Sequence, residues 1–303
     1  DLKKAYDYHK KTNSFTTIVL YQVSDPLHYG VVITDKDGRI TRFLEKPTWG
    51  EVFSDRINAG IYIIEPEVFE MIPENKFYDF SKDLFPKMLD AGVNLRGYNA
   101  SGYWKDIGTI EEYLNANKDF SKGKVKLYSP ELMEGNVSIG KGSRVDPTVE
   151  ITGKCVIGKN CIIEKNVKIK NSSIGDNCYV GEGVSIVDSI VWENVKLCDG
   201  VSISEDIIGK NTVIGREAYL LSRVYIGDNC KVGEKARLGA NIKIWPDKII
   251  ESESILSNSL VWGDRWMREL FTESRVSGLA NTEISPEFGA RLGSAFGAFL
   301  GMN

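Results

Sequence analysis

Between Ile139 and Ile244 an aliphatic residue returns every six positions, an interval that suits neither an alternating strand nor an α-helix. The register Ile139, Val145, Ile151, Ile157, Ile163, Ile169 is unbroken. It resumes at Ile174, Val180 and Ile186, then at Leu197 and Ile203, and again through Ile208, Ile214, Leu220, Ile226, Val232, Leu238 and Ile244. Such a period, punctuated by turns, predicts a triangular prism in which three short parallel strands make one coil of about 18 residues, with roughly six to seven coils over residues 131–262. Two residues before each aliphatic lies a second inward position, filled by small side chains: Ser143, Cys155, Cys161, Val167, Cys178, Val184, Thr212, Ala218, Cys230 and Ala236. Glycine follows the aliphatic at Gly140, Gly158, Gly175, Gly181, Gly209, Gly215, Gly227, Gly233 and Gly239. These glycines are expected to supply turns that need permissive backbone angles.

Residues 1–125 mix periods instead. Leu2, Ala5, Tyr6 and His9 share one helical face, and residues 15–23 form a β-branched, apolar run expected to be a strand buried on both sides. Strands are predicted over residues 29–34 and 40–44, joined through Lys36-Asp37-Gly38-Arg39, whose Asp-Gly pair signals a hairpin. Another is predicted over residues 57–64, ended by Pro66, with helices over 67–71, 81–91 and 110–120. The fold class is a partial, Rossmann-like α/β domain followed by a left-handed parallel β-helix of hexapeptide repeats. A third region, residues 275–303, holds Arg275 to Asn281 and then a helix with Ser285 as N-cap and Pro286 at its first position. Its stripe of Phe288, Leu292, Ala295, Phe296 and Phe299 needs a covering surface.

Composition narrows the function classes. The formal charge of -4, with signs well mixed, offers no basic face for a nucleic acid. No run of 18 or more apolar residues exists to span a membrane, and Asp1-Leu2-Lys3-Lys4 opens onto helical periodicity, so a cytoplasmic setting is expected. Five cysteines, all between Cys155 and Cys230, include no CxxC pair. Four of them, Cys155, Cys161, Cys178 and Cys230, fall in the inward slot and are expected to be reduced core filler.

Three segments of the first region place polar residues and glycines at strand ends: Glu45-Lys46-Pro47, Asn58-Ala59-Gly60 and Trp104-Lys105-Asp106-Ile107-Gly108-Thr109. Strand ends flanking a crevice are where α/β sheets bind ligands. A carboxylate and an amide suit sugar hydroxyls, an ammonium suits a phosphate, and a lone aspartate suits a hard divalent cation. The blander readings are a surface ion pair for Glu45 and Lys46, a turn at Asn58, and helix capping by Asp106.

Together, and with Tyr29-Gly30-Val31-Val32 and Phe43-Leu44 ahead of Glu45, these segments resemble the sugar-1-phosphate nucleotidyltransferases, most closely their mannose-1-phosphate guanylyltransferase branch. The resemblance implies that Gly30 approaches the sugar with its backbone, Glu45 holds sugar hydroxyls, Lys46 contacts the sugar phosphate, and Asn58 and Gly60 line the pocket. Asp106 would bind Mg²⁺, and the substrates would be a sugar-1-phosphate and a nucleoside triphosphate. In that family a phosphate oxygen attacks the α-phosphorus in line, and catalysis is placement plus charge neutralisation. The family's glycine-rich triphosphate loop has no counterpart in residues 1–20, and its second magnesium-binding aspartate is also missing. The resemblance therefore implies that this chain by itself does not transfer nucleotides. β-Helices commonly follow such domains, and residues 276–299 resemble the opening of a phosphohexomutase, without its phosphoserine loop.

Two other functions compete. Hexapeptide β-helices include acyltransferases that use a histidine base, but His9 and His28 both lie outside the repeats. Alternatively the β-helix is an assembly module or sugar-nucleotide sensor, making homo-oligomers through exposed aromatics among Trp192, Trp245, Trp262 and Trp266.

Overall fold

The computed structural model describes residues 2–52, 54–125, 136–261, 265–266 and 286–301, and the chain divides into two compact units, 1–106 and 107–303. In the first unit, helix α1 (Leu2–Lys11) precedes strand β1 (Thr16–Gln22). The hairpin β2 (Gly30–Thr34) and β3 (Ile40–Glu45) follows, then β4 (Arg56–Ile64), a π-turn at Phe80–Leu84, helix α2 (Phe85–Asp90) and β5 (Leu95–Asn99). The sheet order is β3-β2-β4-β1-β5, with β1 parallel to β5 and antiparallel to β4. Residues 16–20 of β1 are wholly buried, as a strand covered on both faces must be. One face carries Ile18, Leu20, Leu84, Phe85 and Met88, and the other Ala5, Val19 and Ala59.

Several sequence expectations shift in detail. Ala5 and His9 are buried on α1, but Leu2 and Tyr6 are exposed, so the apolar face is narrower than the pattern suggested. Residues 66–71 form a 3₁₀ turn, and the helix expected at 81–91 is split: Asp79 caps the amides of Ser81 and Lys82, and regular α geometry begins at Phe85, beside Pro86.

The second unit is a parallel β-solenoid of about 7 turns, its strands falling into sheets of eight, seven and seven. The six-residue register becomes stacked columns: Ile157 pairs with Ile174, Ile174 with Val191, Val191 with Ile208, Ile208 with Ile226, and Ile226 with Ile244. Cys155, Cys161, Cys178 and Cys230 are buried free thiols in the slots predicted for them. The same slot also takes side chains the pattern did not flag, Ser172, Ser189 and Asp206, all buried.

The glycines have a different role from the expected one. None of Gly140, Gly158, Gly175, Gly209 or Gly227 has a positive φ; left-handed angles occur instead at corner residues such as Asn160, Asn177, Asn194, Asn211 and Asn229. What excludes a side chain at Gly158 is the next coil, since a Cβ there would lie 2.5 Å from the carbonyl carbon of Gly175. Asparagine tolerates the left-handed corner best among residues with a Cβ, and here it adds a ladder. Asn177 Nδ2 donates to Asn194 Oδ1 at 3.2 Å, Asn194 to Asn211 at 3.0 Å and Asn211 to Asn229 at 3.0 Å. Asn194→Ala is expected to lower stability by about 1–3 kcal/mol, from αL strain plus two lost side-chain hydrogen bonds. Asn194→Gly should recover the backbone share of that loss, a difference readable from urea unfolding of the two variants.

Helix α3 (Ile110–Ser121) packs on the solenoid within this second unit, Leu114 contacting the outward side chains of Ile190, Ile207 and Tyr225. Lys118 pairs with Glu205 at 3.0 Å and Glu111 with Lys243 at 3.2 Å. The terminal helix α4 (Pro286–Gly301) exposes Phe296, Phe299 and Leu300. The expected cap Ser285, the segment Arg275 to Asn281, Trp262 and the side chain of Trp266 lie outside the described residues.

Candidate functional site

The base of the β2–β3 hairpin is set against the start of β4 by the pairing of Val31 with Ile57. Within the hairpin Gly30 stands opposite Glu45. A Cβ on Gly30 would lie 2.7 Å from Glu45 Oε2 and 2.8 Å from Phe43 Cζ, so the glycine leaves the space into which the carboxylate folds. Half-burial pushes the Glu45 carboxyl above its ordinary range; Lys46 draws it down, Asp79 pushes it up and Lys82 draws it down. Lys46 takes a left-handed backbone, φ 47°, its amide donating to the Tyr29 carbonyl at 3.1 Å while its side chain is exposed. Lys46 thereby turns the chain out of β3 with its ammonium in solvent.

Asn58 sits inside β4, and is not a turn residue. Its amide donates to Tyr62 Oη at 2.8 Å and to Ser81 Oγ at 3.4 Å, while its Oδ1 accepts the Gly60 amide at 2.9 Å. Ile18 pairs with Tyr62 and Leu20 with Asn58, so residues 59–61 oppose Val19 alone. This is a bulge, and Gly60 at φ 75° makes it possible. Bulges of this kind re-aim strand residues beside active sites. The π-turn closes the group, Asp79 Oδ1 accepting from Ser81 N at 2.8 Å and Lys82 N at 2.9 Å. Sequence reasoning missed Tyr62, Asp79, Ser81 and Lys82. The available signal was Asp79 two residues before the predicted helix, which marks a cap but not a neighbour of Glu45.

Asp106 belongs to an irregular segment that leaves the end of β5. Trp104 anchors it, its ring centroid 5.4 Å from that of Tyr21 and 5.9 Å from that of Tyr29, and Tyr21 Oη donates to the Gly102 carbonyl at 2.7 Å. The segment is thus held beside the residue that precedes Gly30. Asp106 is exposed and does not cap α3; Thr109 does, its Oγ1 accepting the Glu112 amide at 3.1 Å. Among the described residues no group of three or more His, Cys, Asp or Glu side chains could cage a metal. Mg²⁺ ordinarily takes one or two carboxylates and completes its shell with phosphates and water, so Asp106 fits as a single ligand beside a bound phosphate. The histidines stand apart from this chemistry. His9 is buried, with Nδ1 2.9 Å from Thr17 Oγ1 and Nε2 3.1 Å from Glu65 Oε1, and His28 is exposed.

Residues 1–123, which hold every one of these groups, match the family model described as nucleotidyl transferase. Over these 123 of the chain's 303 residues the protein is similar to the nucleotidyl transferase family. Its second part matches the EIF2B subunit epsilon LbH domain over residues 117–220 and 154–238, which agrees with a left-handed solenoid. The chain is similar to the UTP--glucose-1-phosphate uridylyltransferase of Synechocystis sp., 34% identical over 197 residues, covering 57% of this chain and 51% of the relative. The mannose-1-phosphate guanylyltransferase of Mycobacterium tuberculosis is 29% identical over 175 residues, 57% of this chain and 48% of its own. The mannose-1-phosphate guanylyltransferase catalytic subunit beta of Drosophila pseudoobscura pseudoobscura is 37% identical over 155 residues, 51% of this chain and 40% of its own. The chain spans about half the length of the curated relatives it matches. Those relatives are named for different bases and sugars, so the likeness leaves the substrate pair to be argued.

Proposed function

We propose that the protein joins a sugar-1-phosphate to a nucleoside triphosphate, releasing pyrophosphate, and that its product is GDP-mannose. The observation that carries this reading is the close approach of Glu45 to Gly30, where a carboxylate folds over bare backbone with Lys46, Asp79 and Lys82 near enough to act on its charge. A carboxylate with two acceptor oxygens suits a ring bearing several hydroxyls. The exposed Lys46 ammonium is a point charge for the sugar phosphate. Mg²⁺, when held by Asp106 and phosphate oxygens, supplies charge neutralisation at the transferred group. Lys46 and Asp106 then act by placing and neutralising phosphate, and Gly30, Glu45, Asn58 and Gly60 by holding the sugar.

In this reading the solenoid is also an assembly surface for a homo-oligomer, and its free thiols, Cys155 to Cys230, suit the reducing cytoplasm. The acyltransferase alternative lacks a histidine base anywhere in residues 136–261.

The test is a substrate panel in the full-length protein, with GTP and mannose-1-phosphate against UTP or ATP with glucose-1-phosphate, run on wild type and Glu45→Gln. The wild type should prefer the first pair. The variant should raise KM for the sugar-1-phosphate by roughly 10- to 100-fold, the loss of a charge-assisted hydrogen bond to a hydroxyl. Because burial already disfavours the Glu45 carboxylate, the same variant should be no less stable than wild type. A variant with unchanged KM for every sugar-1-phosphate would remove Glu45 from the site.

A further inference from the structure

The solenoid carries a concavity whose lining includes none of Gly30, Glu45, Lys46, Asn58, Gly60 or Asp106. Its volume is about 790 Å³, and its lining comes wholly from the second unit. The geometry follows from the repeat. At the corner position after the inward aliphatic, successive coils carry Trp192, Gly209, Gly227 and Trp245, as the ladder of amide bonds from Trp192 to Ile208, Gly209 to Ile226 and Gly227 to Ile244 requires. Two large rings therefore stand three coils apart, roughly 14 Å at the spacing of paired strands, with two bare corners between them. Those corners cannot be filled by substitution, because a Cβ would lie 2.6 Å from the Gly227 carbonyl carbon at Gly209 and 2.6 Å from Pro246 N at Gly227. Tyr225 and the residues leading into α3, from Gly108 to Ile110, close the remaining sides.

Charge is balanced within the lining. Lys243 is paired with Glu111 at 3.2 Å, and at the start of α3 Thr109 accepts the Glu112 amide while the Glu111 carboxylate accepts its own. The Lys243 charge of the lining is thus already neutralised, and apolar and aromatic walls are abundant. The volume falls within the range of small-molecule sites, about 300–1,000 Å³, and the hollow is open to solvent on one side.

We infer that this slot between Trp192 and Trp245 binds an uncharged, planar ligand of two or three rings, stacked on the accessible Trp245 indole over the bare corner at Gly227. Trp245 is the accessible wall, 54% exposed, whereas Trp192 is held by Tyr113 and by the Lys210 ammonium, 5.2 Å from its ring centre. Ligand affinity should accordingly depend most on Trp245.

The probe is N-phenyl-1-naphthylamine, neutral and planar over its fused rings, titrated into the 303-residue chain with its own fluorescence as readout. Saturable one-to-one binding is expected, at least 10-fold weaker in Trp245→Ala and in Ile110→Asp, which sets a charge on the rim. Tyr219→Ala, which removes an aromatic 50% exposed on another face of the prism, should bind as wild type does. Phe296→Ser on α4 should likewise leave the titration unchanged. Thermal unfolding midpoints equal to wild type would show that the variants fold. Absence of saturable binding, binding insensitive to both Trp245→Ala and Ile110→Asp, or binding lost instead in Phe296→Ser would each overturn the assignment.

Discussion

Asp106→Ala is expected to lower pyrophosphate release by the full-length protein roughly 100- to 1000-fold, the scale on which removing one preorganised charge contact to a transition state is felt. Asp106 is exposed, and α3 is capped by Thr109 instead. The substitution should therefore leave the unfolding midpoint unchanged and act on chemistry alone. If Asp106 holds the magnesium ion, Asp106→Asn should retain a weak oxygen ligand and partly recover rate at raised Mg²⁺, while Asp106→Ala should not. Equal rates in wild type and Asp106→Ala across a magnesium titration would remove the residue from the metal site.

The second large effect concerns stability and pH. Asp206 is wholly buried in the prism, its Oδ1 accepting the Val224 amide at 2.8 Å and its Oδ2 the Ser204 amide at 2.9 Å. Burial pushes its carboxyl from an ordinary 3.8 up to about 7; backbone donors from Val224, Ser204 and Arg223 oppose this, and the neighbouring Glu205 reinforces it. A folded-state value above the unfolded one means that the folded chain prefers the proton. The stability gained is fully present below about pH 4 and is lost as pH rises through about 7, on the order of 4 kcal/mol in total.

A remedy is written in the adjacent coils. Ser172 and Ser189 occupy the same column, each accepting the next coil's amide through Oγ while donating to a carbonyl two residues back. Asp206→Ser extends that pattern without a charge. Urea unfolding between pH 5 and 8.5 should show the wild type losing stability relative to Asp206→Ser as pH rises. Parallel curves for the two proteins would mean that Asp206 stays in one protonation state throughout.

The solenoid was legible because its period is set by geometry that every coil repeats. One aliphatic per side must point inward, and small residues must fill what remains, so Cys161 and Ala218 could be placed from sequence alone. Asp206 escaped because its type contradicts its slot; only the amides of Ser204 and Val224 explain why a carboxylate is tolerated there. The corner glycines were found but misread, since a turn glycine and one excluded by the next coil's backbone look alike in sequence.

In the first unit, the residues that resemblance singled out are distributed unevenly. Gly30 and Glu45 meet through strand register, and Asn58 and Gly60 meet through a bulge, both local consequences of β-structure. Tyr62, Asp79, Ser81 and Lys82 reach the same place through a π-turn that no periodicity announces. Such long-range neighbours are invisible until the chain is folded.

The central claim is that Gly30, Glu45, Lys46, Asn58 and Gly60 hold a sugar-1-phosphate. It is tested most directly by titrating mannose-1-phosphate into the isotope-labelled 303-residue chain and following backbone amide resonances. Shifts concentrated at Gly30, Glu45, Lys46, Asn58 and Gly60, and abolished in Glu45→Ala, are the result this account predicts. Saturable shifts confined to the solenoid, or none at concentrations well above those at which sugar phosphates bind their enzymes, would contradict it.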